Sequence, residues 1–171
     1  MSGNEPRKPL VGIVMGSDSD LPVMEQTTAV LKKFGIPYEI TVASAHRSPQ
    51  RAAAFASTAR DRGLRVIIAG AGHAAHLAGV LAAHTSLPVI GVPIDSSCLQ
   101  GMDALLATVQ MPPGIPVATM AIGKSGARNA GIFAAQILGV SDPAMAEQLA
   151  AFKQEMADKV AEKAAKLQGS I

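Results

Sequence analysis

VIIAGAGHAAHLAGVLAAHTSLPVIGVPI, residues 66–94, contains no Asp, Glu, Lys or Arg. Its length would suffice to cross a bilayer, but its histidines, glycines and prolines divide it into shorter pieces. Two apolar runs of strand length, Val66–Ala69 and Pro88–Val92, flank a helix-length segment from His76 to His84. Continuous apolar runs are typical of parallel strands that are covered on both faces. The stretch therefore predicts a strand–helix–strand unit in a protein core and no membrane segment.

The same alternation of short β-branched runs and helix-length segments extends along the rest of the chain. Further strands are predicted at Leu10–Met15, Tyr38–Val42 and Val117–Ala121. Further helices are predicted at Leu21–Phe34, from Pro49 to Gly63 with Ser48 as N-cap, at Ser97–Val109 and at Ser125–Leu138. This order predicts an α/β fold in which helices cover both faces of a five-stranded parallel sheet.

The segment Pro143–Leu167 predicts one long helix. Its apolar residues recur at helical spacing between charged residues, at Met145, Leu149, Phe152, Met156, Val160 and Leu167. At about 1.5 Å per residue the helix would reach roughly 37 Å, close to the diameter of a domain of this size. We therefore expect a flexible tail at residues 1–9, an α/β core at residues 10–139, and a C-terminal helix at residues 140–171 that packs on a neighbouring subunit. Packing along its own domain is the alternative.

Composition excludes several classes of partner. The net charge is +2, there is no run of Lys or Arg, and the chain has no tryptophan and one tyrosine, so a nucleic-acid surface is not predicted. Cys98 is the single cysteine, which excludes an intramolecular disulfide. The N-terminal MSGNEPRKP lacks the apolar segment of a secretory signal. These features predict a globular, cytoplasmic protein.

The unusual polar residues are concentrated in the loops that follow the predicted strands. Those loops are GSDSD (16–20), SAHRSP (44–49), GAGHAAH (70–76), PIDSS (93–97) and IGKSGARN (122–129). In an open parallel sheet such loops emerge at one edge, where ligands bind. We therefore expect a shared site there.

The first two loops carry groups that suit a phosphorylated sugar. Hydroxyls and helix N-terminal amides suit a phosphate, and a carboxylate suits sugar hydroxyls, although Ser19 or Asp20 is also suited to capping the next helix. In the second loop, local folding leaves Ser44, His46 and Arg47 without an evident structural role. Arginine binds anions with a planar fork, and histidine transfers protons near neutral pH. An exposed polar turn is the alternative for this loop.

The third loop offers a competing interpretation. Gly70, Gly72 and Ala75 fit the G-x-G-x-x-A pattern of a dinucleotide site, with Asp95 placed as a ribose-binding acid. The pattern falls on the third strand, however, and leaves no room for a separate substrate domain. The glycines fit close approach of the backbone to a smaller ligand. His73 and His76 have no carboxylate or thiol at ligand spacing, so a metal site is not predicted.

Taken in order, several long motifs resemble the 5-(carboxyamino)imidazole ribonucleotide mutases of purine biosynthesis, the mutase branch of the PurE family. The similarity runs from about Leu10 to Leu138. It rests on MGSDSD, SAHRSP, AGAGHAAHLAG, PVIGVP, TVQMPPGIPVAT and AIGKSGARNAGIFAAQIL. The resemblance implies a flavodoxin-like three-layer αβα sandwich, a homo-octamer with C-terminal helices packed across subunits, and a reaction that needs neither cofactor nor metal.

The resemblance also implies the reaction and its residues. A carboxylate moves from the exocyclic nitrogen of an aminoimidazole ribotide to a ring carbon, by decarboxylation and recapture of carbon dioxide. His46 is implied as the catalytic acid/base. The implied substrate-binding residues are Ser17, Ser19, Asp20, Ser44, Ala45, Arg47, Gly70, Ala71, Gly72, His76 and Leu77.

Two positions depart from the family pattern: His73 replaces a usual glycine, and Arg128 replaces a usual small residue. Two alternatives remain open at this stage. One is a carboxylase that uses free carbon dioxide and aminoimidazole ribotide. The other is a binding module for a dinucleotide or FMN.

Overall fold

The structure, a computed structural model, describes residues 8–168, so most of the predicted tail at residues 1–9 lies outside the described residues. The strands are β1 (Val11–Met15), β2 (Tyr38–Val42), β3 (Val66–Gly72), β4 (Val89–Ile94) and β5 (Ala118–Thr119). The helices are α1 (Leu21–Lys33), α2 (Pro49–Ser57), α3 (Leu77–Ala83), α4 (Met102–Val109), α5 (Gly123–Gly139) and α6 (Pro143–Gln168).

The five strands form one parallel sheet in the order β2-β1-β3-β4-β5. Strand β1 therefore has β2 on one side and β3 on the other, so the order of strands along the sheet reverses at β1. This places the topological switch point, where ligands bind in open α/β sheets, between β1 and β3. The predicted α/β class and five-stranded parallel sheet are confirmed.

Both faces of the sheet are covered by helices. One face carries Val14, Ile67 and Val89 into an apolar cluster with residues of α2 and α3. On the other face Met24 of α1 lies against β3, and Thr27 joins α1 to α5 by donating to the Ala127 carbonyl at 2.7 Å. The arrangement is the predicted three-layer sandwich.

Several element boundaries differ from the prediction, for local reasons. Strand β3 continues to Gly72 because Ala71 and Gly72 pair with the end of β4. Helix α4 begins at Met102 instead of Ser97, because Gln100 and Gly101 adopt positive φ angles of 52° and 82°. Helix α2 ends at Ser57, and turns occupy the segment predicted as its last part, up to Gly63.

The chain divides into two compact units, one up to Ala134 and one from Ala135 onward. The sheet and α1–α4 belong to the first unit. The second contains α6, whose Met145 and Phe152 are buried. The long predicted C-terminal helix is therefore present. None of the helices in residues 8–168 is both long and apolar enough to cross a membrane.

Candidate active site

A cavity of about 620 Å³ opens at the carboxyl edge of the sheet, around the switch point between β1 and β3. This volume is in the range of small-ligand sites. The loops after β1, β2, β3 and β4 all contribute to its wall. The lining residues are Gly16, Ser17, Ser19, Asp20, Ser44, Ala45, His46, Arg47, Ala71, Gly72, His73, Ala74, Leu77 and Ser96.

The loop after β1 is a tight turn held by its own side chains. The Ser17 hydroxyl accepts from the Ser19 amide at 3.3 Å, and the Asp20 carboxylate accepts from the Ser17 amide at 3.0 Å. The bond from the Ser17 amide to Asp20 and a bond from the Asp20 amide to the Ser17 side chain form a capping box around a 3-10 turn, Asp18–Asp20. The box caps that turn and not α1, so the alternative role of Ser19 or Asp20, a side-chain cap of α1, is not observed.

Asp20 is the buried acid of this cavity, with 5% of its surface exposed. Burial raises the pKa of its carboxyl above the ordinary value, and the bond from the Ser17 amide and the nearby His73 ring oppose that effect. The site therefore contains one carboxyl group whose ionised form is disfavoured by desolvation.

The loop after β2 is also organised by serines. The Ser44 amide donates to the Ser48 hydroxyl at 2.9 Å, and the Arg47 amide donates to the Ser44 hydroxyl at 3.1 Å. Ser44 thus has a structural role that sequence reasoning did not assign to it. Ser48 stands at the predicted N-cap position of α2 but makes no side-chain capping bond there. The turn leaves His46 and Arg47 exposed at the cavity.

His46 contacts a second histidine from the start of α3. Its Nε2 lies 2.8 Å from Nδ1 of His76, and the two rings meet edge to face at 5.0 Å between centroids. At that distance one nitrogen carries the hydrogen and the other accepts it. The two imidazoles are therefore joined by one hydrogen bond, whose donor is set by the ring tautomers. Histidine is a residue type suited to taking up and returning a proton in catalysis.

His73 follows the end of β3 and has a positive φ of 54°. Its Nδ1 lies 3.0 Å from the Ser96 hydroxyl, which comes from the loop after β4. This contact joins the third and fourth loops on the cavity wall. Gly72 makes it possible, because a Cβ at that position would lie 1.8 Å from the Ser96 oxygen.

Most residues implied by the resemblance lie on this wall, and two do not. Gly70 faces Met24 in the core, and its carbonyl accepts from the Gly16 amide at 3.1 Å. His76 does not line the cavity, but its Nδ1 lies 2.8 Å from Nε2 of His46, which does. The lining residues that the site prediction missed are Gly16, His73, Ala74 and Ser96. These four residues lie in the GSDSD, GAGHAAH and PIDSS loops, so their position after the strands was the sequence signal that could have identified them.

The loop after β5 contributes no residue to this cavity. Strand β5 is separated from the switch point by β3 and β4, so its loop emerges too far along the sheet edge. The expectation that all five loops share one site is therefore wrong for the fifth. Arg128, on α5, is exposed and does not line the cavity.

Metal-ligating side chains are not grouped in threes anywhere in residues 8–168. The polar groups of the cavity wall are instead hydroxyls, imidazoles, one guanidinium and one carboxylate. Such a set suits hydrogen bonding to a phosphorylated sugar and proton transfer.

Comparison with known proteins is consistent across sequence and structure. Residues 10–159 match the AIR carboxylase family. The N5-carboxyaminoimidazole ribonucleotide mutase of Pyrococcus horikoshii is 57% identical over 94% of this chain and 90% of that protein. The phosphoribosylaminoimidazole carboxylase of Saccharomyces cerevisiae is 54% identical over 94% of this chain but only 28% of that protein. The crystal structure of Treponema denticola PurE superposes with a TM-score of 0.83 at 30% identity, covering 93% of this chain and 98% of that one.

Proposed function

This chain belongs to the AIR carboxylase family, and from that premise we propose that it is a ribotide mutase in which His46 is the general acid/base. It is an isomerase of purine biosynthesis that converts 5-(carboxyamino)imidazole ribonucleotide to 4-carboxy-5-aminoimidazole ribonucleotide. The similarity to the yeast carboxylase covers about a quarter of a much longer protein, whereas the similarity to the mutases covers nearly their whole length. The mutase assignment is therefore the stronger one.

The observation that carries the role of His46 is its position on the cavity wall with His76 behind it at 2.8 Å. In the proposed reaction the bond between the exocyclic nitrogen and the carboxylate carbon breaks, carbon dioxide is released, and His46 gives a proton to that nitrogen. The ring carbon then attacks carbon dioxide, and its own proton leaves to His46. One proton is given and one is recovered, so the enzyme returns to its starting state.

We assign the remaining wall residues to ribotide binding. Arg47 supplies the planar cation for the phosphate, and the Ser17 and Ser19 hydroxyls add donors beside it. The Asp20 carboxylate accepts from the ribose hydroxyls. The small and apolar groups, Ala45, Ala71, Gly72 and Leu77, form the wall against which the ring and carbon dioxide lie.

Retaining carbon dioxide requires a closed cavity, and in a single chain His46 and Arg47 are exposed. We infer that the cavity is closed by further copies of the chain, in the homo-octamer that the resemblance implies. Two apolar stripes support self-association: Met102, Leu106 and Val109 are exposed along α4, and Met156, Val160 and Leu167 along α6. We assign the enzyme to the cytoplasm, where purine nucleotides are made.

Replacing His46 with Asn tests the acid/base role. We expect turnover of 5-(carboxyamino)imidazole ribonucleotide to fall by about 10²–10⁴-fold, because the proton carrier is lost, while the affinity for aminoimidazole ribotide stays within about threefold. The measurements are an absorbance assay and calorimetric titration. His84→Asn is the matched control, since His84 is exposed at the end of α3 and outside the cavity wall. Near-normal turnover by His46→Asn would refute the role.

The mutase, carboxylase and binding-module hypotheses differ in the substrate or ligand that each expects the wild-type protein to use. A carboxylase would make product from aminoimidazole ribotide and bicarbonate at low concentration, without the carboxyamino substrate. A dinucleotide- or FMN-binding module would bind NAD or FMN in a titration and would not respond to either ribotide. We expect turnover only with the carboxyamino substrate under these conditions.

A further inference from the structure

The backbone of His73 adopts a conformation that most side chains avoid. Its φ of 54° lies in the left-handed region, where glycine is the usual residue and asparagine, aspartate and histidine are the most frequent of the others. An imidazole held in such a conformation on the wall of a cavity is a sign of function, because local strain is retained where the surrounding structure or a ligand needs the side chain in place.

One nitrogen of the His73 ring is fixed by the protein, and the other is not. Nδ1 is paired with the Ser96 hydroxyl at 3.0 Å, which holds the orientation of the ring. Nε2 has no hydrogen-bonding partner in the part of the chain that the structure describes. The ring is therefore anchored at one end and available to a ligand at the other.

His73 is near Asp20, and its ring nitrogen Nδ1 pairs with Ser96, whereas His46 pairs with His76. The Asp20 carboxyl, whose pKa is raised mainly by burial, is close enough to His73 to respond to the charge of its ring. If the reacting imidazole of the ribotide lies at His46, the sugar and phosphate extend towards Asp20. Arg47 is the one lysine or arginine among the residues that line this cavity, so a further N–H donor would complement a dianionic phosphate.

We propose that His73 is a substrate-binding residue that donates a hydrogen bond from Nε2 to an oxygen of the ribose 5-phosphate portion of the ribotide. This inference rests on the proposed function. The contact is made to a part of the substrate that does not react, so it is equally strong in the ground state and the transition state. Such a contact lowers KM and leaves kcat unchanged.

The test compares His73→Asn and His73→Gly with the wild type and with His84→Asn. Both residues tolerate a positive φ, so both variants are expected to fold. Asparagine keeps a polar group near the position of Nδ1, able to pair with Ser96, and lacks only the group corresponding to Nε2. Affinities for aminoimidazole ribotide and for ribose 5-phosphate are measured by calorimetry, and kcat and KM by the mutase assay.

We expect both His73 variants to bind both probes about 3- to 10-fold more weakly than the wild type, with kcat within twofold and KM raised by the same factor. His84→Asn should match the wild type. Wild-type affinity in His73→Asn would overturn the proposal, because the loss in His73→Gly would then reflect loop flexibility. A loss for aminoimidazole ribotide alone would place the contact at the ring and overturn it as well, as would a large fall in kcat.

These outcomes are distinct from a failure of the proposed function. If the wild type neither turns over the carboxyamino substrate nor binds ribose 5-phosphate, the assignment as a ribotide mutase fails. If the wild type does both and the His73 variants behave in the same way, only the role of His73 fails.

Discussion

At Asp20, folding and binding use the same side chain. Its carboxylate closes the capping box with the Ser17 amide, and it is also the buried acid that we assign to the ribose hydroxyls. Because burial raises its pKa, the folded protein holds a proton on Asp20 more tightly than the unfolded chain does. The free energy of unfolding therefore falls as the pH rises from the ordinary carboxyl range through the raised pKa of Asp20.

Asp20→Asn should remove this pH dependence and separate the two roles. The amide oxygen of asparagine still accepts from the Ser17 amide, so we expect the free energy of unfolding near neutral pH to change by no more than about 1 kcal/mol. Urea unfolding at several pH values should show the wild type losing stability relative to the variant as the pH rises through this range.

In the same variant, ribotide affinity should fall about 10-fold or more, because hydrogen bonds to charged acceptors are stronger than those to neutral ones. Parallel unfolding curves for the two proteins over that pH range would contradict the raised pKa. Unchanged affinity would contradict the binding role.

Single residues also show what the sequence can and cannot predict about the site. The His46 and Arg47 pair was predictable as cavity-facing, because neither residue type is needed to make a turn. Ser44 was not predictable as structural, since its bonds to Ser48 and Arg47 depend on the three-dimensional course of the turn. The bond between His73 and Ser96 joins two loops 23 residues apart and has no local signature.

At the scale of elements, β4 packs against α4 through a glycine. A Cβ at Gly91 would lie 2.4 Å from the Thr108 methyl carbon Cγ2 and 3.0 Å from Val117 Cγ1. Thr108 is buried and donates to the Ala104 carbonyl at 2.7 Å, so it has little freedom to retreat. We expect Gly91→Ala to lower the free energy of unfolding by about 1–3 kcal/mol, measured by urea denaturation, because it overpacks this contact.

Gly16→Ala is the matched control for that substitution. At Gly16 the nearest atoms to an added Cβ are the Asp20 carboxylate at 3.7 Å and the Ala71 side chain at 3.8 Å, which are ordinary contacts. Its stability should stay within about 0.5 kcal/mol of the wild type. Equal stability of the two variants would show that α4 can move away from β4.

The order of elements was predictable because strand and helix patterns alternate clearly along the chain, and the apolar run at 66–94 could only be a buried unit. The ends of elements were less predictable. Strand β3 gained Ala71 and Gly72 from pairing with β4, and α4 lost its first predicted residues to the positive φ angles at Gln100 and Gly101. The exclusion of the fifth loop from the cavity followed from strand order, which periodicity does not encode.

At the scale of the whole molecule, the open cavity and the exposed apolar stripes lead to the same expectation. A reaction that holds carbon dioxide needs water excluded from His46, and a single chain leaves that residue exposed. The second unit of the chain offers an apolar stripe on α6, where Val160 is 67% exposed and Met156 43%. Burial of such a stripe between copies would stabilise an assembly in proportion to its apolar area.

Val160→Lys tests whether this stripe holds the assembly together. We expect the wild type to have a mass eight times the 17.5 kDa of one chain, and the variant to dissociate at micromolar concentrations, because a charge buried in an apolar interface is costly. Light scattering after size-exclusion chromatography gives the masses. Gln154→Lys is the matched control, because it adds the same charge on another side of α6, where Gln154 already pairs with Asp158.

If closure by neighbouring copies retains carbon dioxide, turnover of the Val160→Lys variant should fall over the same concentration range in which its mass falls. A variant of full mass would exclude the α6 stripe as an interface, and a dissociated variant with full turnover would show that a single chain closes its own cavity.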